Sequence, residues 1–130
     1  MYVRYENAED VKKLAEEIVT ALEMNHIDMK RVFFVRSFGT KTNAIARCHG
    51  LGRIWQHALG IKAHYIIEVI SEKFDKLSEE ERERVIIHEL LHIPKSFGGG
   101  LRGHNYATSK KIKNFTNFTK KLKEMLSKLY

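Results

Sequence analysis

Apolar residues at Val11, Leu14, Ile18, Ala21 and Leu22 recur at helical spacing, with Glu9, Asp10, Glu16 and Glu17 between them. That pattern predicts a helix packed along one face, capped at Asn7 and running to about Asn25. Arg31 to Ser37 (R-V-F-F-V-R-S) is β-branched and aromatic and predicts a strand; Gly39 to Thr42 follows as a turn. Ala44 to Cys48 alternates weakly, as a second strand would, until Gly50 and Gly52 interrupt it. Ile54 to Leu59 is a short apolar segment that suits either a helical turn or more strand, and Gly60 ends it. His64 to Ile70 (H-Y-I-I-E-V-I) is the clearest strand. Ser78 followed by Glu79, Glu80 and Glu81 has the form of a capping box, with acidic groups at the positive end of the coming helix. This helix should run to about Ile93, because Pro94 cannot continue it. Val85, Ile86, Leu90 and Ile93 can then face a core, with His88, Glu89 and His92 on the remaining arc. Ser96 to Gly103 contains Gly98-Gly99-Gly100 and reads as a tight connection. A last helix is expected from about Asn105 to Leu129, with Ile112, Phe115, Leu122, Met125 and Leu129 as its apolar stripe.

Composition adds bounds to this picture. The 130 residues suffice for one domain, 1–130, with a core that needs no disulfide. No run of about 18 apolar residues is present, so no membrane span is expected. The only cysteine is Cys48, which cannot pair within the chain, and the start lacks a secretory apolar stretch; together they predict a reducing, cytoplasmic setting. The net charge of +7 is unevenly distributed. Residues 1–94 are nearly neutral, with 14 Lys+Arg against 15 Asp+Glu. Residues 95–130 carry 9 Lys+Arg and a single acid, Glu124. Such a basic region suits nucleic acid, or else is simply a solvated helix face.

The chemistry concentrates in His88-Glu89-Leu90-Leu91-His92. Residues four apart on a helix lie over one another, so His88 and His92 can offer two imidazole nitrogens to one metal ion. Glu89 beside them is a carboxylate placed to take a proton from water at that ion. A catalytic zinc usually takes three protein ligands and keeps a position for water. Downstream of His92 the only further candidates are His104 and Glu124, and His104 follows directly on the glycine-rich reversal. Tyr106 and Arg102, close to His104, are candidate donors to a developing oxyanion. Of the remaining histidines, His26 sits at a predicted helix end, and His57 and His64 read as structural or exposed. His49 beside Cys48 has no C-x-x-C to make a second metal site, and Cys48 reads as a buried structural thiol.

From Ala44 to about Phe115 the chain resembles zincin-fold metallopeptidases. More narrowly, it is similar to small stand-alone zinc metallopeptidases of microbes and phages. The resemblance rests on Gly50-Leu51-Gly52-Arg53-Ile54-Trp55-Gln56-His57-Ala58-Leu59, on Tyr65 to Asp75, on H-E-L-L-H-I-P from His88 to Pro94, and on a final histidine after a glycine-containing loop. A broader resemblance is to SprT/Spartan-type DNA-associated proteases, matched by Gly103-His104 and departing in the length of the loop before that pair. The resemblance implies an α+β zincin-like domain with a small mixed sheet, an active-site helix and a C-terminal helix. It also implies Zn²⁺ on His88, His92 and His104, Glu89 as general base, and a protein or peptide substrate held by the strand from Tyr65 to Ile70. Two other functions stay open at this point: a nucleic-acid-associated protein with a structural metal, and a metal-dependent nuclease.

Overall fold

A computed structural model describes residues 2–103 together with Ile112, Thr116, Asn117, Lys120, Lys121, Glu124, Met125, Ser127 and Lys128. The chain is mixed α+β. Its elements run β1 (Arg4–Asn7), α1 (Glu9–Ala21), β2 (Val32–Phe38), β3 (Ala46–Gly50), α2 (Arg53–Leu59), β4 (Tyr65–Ile70), α3 (Ser71–Phe74) and α4 (Glu79–Leu91). A 3-10 turn, Met29–Arg31, leads into β2. Beyond Gly103 every described residue is helical.

The four strands form one sheet in the order β1-β2-β4-β3. β2 and β4 are parallel; β1 and β3 are antiparallel to their neighbours. The two central strands bury one face together: Val32 and Phe34 of β2 lie level with Tyr65 and Ile67 of β4, and all four are buried. α1 lays Val11, Ala15 and Ile18 into the same core, and α4 adds Ile86, Ile87 and Leu90. Leu91 and Ile93 also enter the core, and so does Ile112. The other face of the sheet leaves Phe33 and Ile66 exposed. Arg36 ties the layers together at their edge, gripping Asp10 of α1 through two bonds (2.6 and 2.8 Å) and Asp75, just after α3, at 2.7 Å.

The cap of α4 matches expectation: the Ser78 hydroxyl accepts from the Glu81 N–H (3.2 Å), and the Glu81 carboxylate accepts from the Ser78 N–H (3.0 Å). α4 ends at Leu91 with His92 as its C-cap, slightly before the expected Ile93.

Two expectations are corrected, and one strand is added. Asn7 does not cap α1: it is the last residue of β1, paired with Val35, and Ala8 occupies the cap position without a side-chain bond. β1 itself was not foreseen, because its four residues are all exposed and carry no apolar alternation. Finally, β4 is not an edge strand. It is hydrogen-bonded to β2 on one side and β3 on the other, so its backbone has no side left for a substrate. The edge beside the predicted chemistry belongs to β3.

Candidate metal centre

α4 places His88 and His92 one turn apart, as the spacing required, and their rings meet edge to face with centroids 4.9 Å apart. The two Nε2 atoms are 3.2 Å apart. Two nitrogens bound tetrahedrally to one zinc at about 2.0–2.1 Å would be roughly 3.3–3.4 Å apart. The observed gap therefore fits a shared ion with almost no rearrangement. The second nitrogen of His92 is also assigned: Nδ1 lies 2.6 Å from the Arg102 carbonyl. A carbonyl oxygen only accepts, so Nδ1 carries a proton; whenever the ring holds just that one, its lone pair is on Nε2, facing His88. The Arg102 N–H in turn donates to the His92 carbonyl (2.7 Å), so Arg102 brackets the end of α4 through its backbone.

Glu89 is buried (6% exposed), and burial pushes its carboxyl up to about 7. Cys48 of β3 lines the same cleft, and burial raises its thiol to about 12. These residues line an open cleft of about 570 Å³, walled by Ala46, Arg47, Cys48 and His49 on one side and His88, Glu89 and His92 on the other, with Arg102 and Gly103 at its end.

The cleft wall is stiffened from behind. Glu68 of β4 is buried, which by itself would raise its carboxyl; hydrogen bonds from Arg47 (3.0 Å to each oxygen) and His49 (2.8 Å) overcome this and hold it at about 2. This cluster was not among the expected site residues, although the alternation in β3 signals it: Arg47 and His49 share one face of the strand, and Glu68 lies directly across from Arg47.

The outer edge of β3 has a defined register. Ile70 N–H bonds to the Ile45 carbonyl and Leu51 N–H to the His64 carbonyl, both at 2.9 Å. In an antiparallel pair, bonded and non-bonded positions alternate. Ala46 and Cys48 therefore turn their backbone N–H and C=O away from β4, towards the cleft.

The structure thus brings together His88, Glu89, His92 and the backbone of Arg102. His104 and Tyr106 lie outside the described residues, and among those residues no group of three or more His, Cys, Asp or Glu is gathered to hold an ion. Of the other histidines, His26 accompanies the end of α4, its Nε2 lying 3.2 Å from the Ile93 carbonyl, and His64 stacks on Phe33. No described helix is long and apolar enough to cross a membrane.

The family described as putative phage metallopeptidase matches residues 3–130, nearly the whole chain, and the chain belongs to it. Comparison with curated proteins and with solved structures gives no match.

Proposed function

We propose that this member of a metallopeptidase family is a zincin-like, zinc-dependent peptidase. In this reading His88, His92 and His104 hold the ion and Glu89 is the general base. The observation that carries it is the facing pair of Nε2 atoms at 3.2 Å with a buried carboxyl raised to about 7 beside them. When bound, the ion supplies Lewis acidity towards water and towards the scissile carbonyl. Glu89 takes the proton from the attacking water and delivers it to the nitrogen of the leaving amine, so the carboxylate is regenerated each turnover. Arg102 and Tyr106 are the proposed donors to the oxyanion. The substrate lies extended along β3, where the outward backbone groups of Ala46 and Cys48 can pair with it as an added strand.

The test is metal analysis combined with cleavage assays. Protein purified without added metal should bind one zinc per chain. It should cleave casein, and Glu89→Gln should retain the zinc while losing at least about 100-fold in rate. Equal activity in Glu89→Gln removes the carboxylate from the mechanism. Parallel incubation with single-stranded DNA and structured RNA separates the nuclease alternative: cleavage of nucleic acid with intact casein overturns the peptidase assignment. Association of nucleic acid with the basic region 95–130 belongs to the same proposal, and it predicts binding that weakens steeply with salt.

A further inference from the structure

The loop after Pro94 carries Arg102 to His92, and two side chains far from α4 in sequence hold that loop. The Tyr65 hydroxyl bridges it: it accepts from the Gly99 N–H (2.8 Å) and donates to the Gly100 carbonyl (2.8 Å). Tyr65 is fully buried in β4, and its ring packs edge-on against Phe97 at the start of the loop (4.8 Å). The Gln56 carboxamide of α2 is the second clasp, donating to Gly98 O (3.0 Å) and to Leu51 O (2.8 Å), so it joins the loop to the end of β3. Here the two backbones run too close for side chains. A Cβ at Gly50 would collide with the Gly99 carbonyl, and one at Gly99 (φ +98°) with the Leu51 carbonyl and the Gln56 amide. The loop can take this course only with glycine at both places and with its polar groups satisfied by Tyr65 and Gln56.

We propose that Tyr65 and Gln56 are positioning residues for the metal centre. By clasping residues 98–100 they hold the Arg102 carbonyl against His92 Nδ1 and so fix the ring tautomer that presents Nε2 as a ligand. The functional consequence rests on reading His92 as a metal ligand; the tautomer itself is a property of the metal-free protein. Neither side chain lines the cleft, so each acts only through the loop.

The experiment compares the parent with Tyr65→Phe, which removes one oxygen, and Gln56→Met, which removes the donors at similar size. Histidine tautomers are read by long-range ¹H–¹⁵N correlation on metal-free, ¹⁵N-labelled protein at pH 8, with His92 assigned by its loss in His92→Gln. Zinc affinity is read by chelator competition, and melting verifies that each variant is folded. A third variant, Ile18→Val, thins the core within α1 and controls for a general loss of stability. The parent should show His92 protonated at Nδ1. Both loop variants should shift the ring towards the Nε2-protonated form and weaken zinc binding about 10- to 100-fold, while Ile18→Val alters neither. An unchanged tautomer in both loop variants overturns the inference. Should the parent bind no zinc, the peptidase reading fails, and the tautomer comparison still decides whether the clasp orients His92.

Discussion

At the scale of single residues, Glu89 has the most to reveal, because its carboxyl is displaced by burial alone. Raised from 4.5 to about 7 in the fold, it keeps its proton where the unfolded chain has lost it. Below about pH 4.5 both states are protonated, and Glu89 adds no pH dependence. Between that point and about pH 7 the unfolded state ionises first, so metal-free protein should lose stability as pH rises, by up to about 3 kcal/mol. Urea midpoints of metal-free parent and Glu89→Gln should therefore diverge across this window, the difference cancelling other titrating groups. Parallel curves would mean that the carboxyl is not displaced. With a cation on His88 and His92 the divergence should shrink, because the positive charge draws the carboxyl back down. Much of this was legible in the sequence: i,i+4 spacing inside a capped helix predicts the meeting of His88 and His92, and Glu89 follows from its neighbours. The raised carboxyl was not legible, since it depends on β3 closing over α4, a long-range contact that no local pattern encodes.

At the scale of elements, β3 decides how a polypeptide could be held. It is the sheet edge beside α4, and its register turns every second residue's N–H and C=O outwards. A peptide inhibitor N-methylated one amide at a time should therefore show a two-residue period. Methylation of amides that meet the Ala46 or Cys48 carbonyl should weaken inhibition about 3- to 10-fold each, the range for one lost hydrogen bond, and the amides between them should tolerate it. A flat response along the peptide would rule out strand addition here. Residues 64–70 were readable as a strand because hydrophobicity and β-branching coincide, yet the same feature misled about its place. A strand buried on both edges and one face is the most apolar, and for that reason the least available to a substrate. β1 lay at the other extreme, exposed throughout and so without a pattern, and it displaced Asn7 from its expected cap.

At the scale of the whole molecule, the proposed metal centre draws on two parts of the chain. The scaffold before Pro94 is electrically balanced and holds the sheet with α1 and α4, whereas the sequence of residues 95–130 is basic; of these, Arg102 meets His92 and Ile112 reaches the core. Two proposed ligands belong to the first part and the third, His104, to the second. An ion shared among them links the parts and should stabilise the fold beyond its local contacts. Zinc free at about 1,000 times its dissociation constant should add about 4 kcal/mol. At about 3 °C per kcal/mol for a domain of this size, that raises the melting temperature by about 12 °C, and a chelator should reverse it. His88→Ala should abolish the shift. His104→Ala should leave a reduced shift, because the pair on α4 still offers two nitrogens but no longer reaches across the loop. A full shift in His104→Ala would place the third ligand elsewhere, and a full shift in His88→Ala would place the ion outside the cleft altogether. The comparison thus locates the ion by thermodynamics alone, without requiring that any substrate be known.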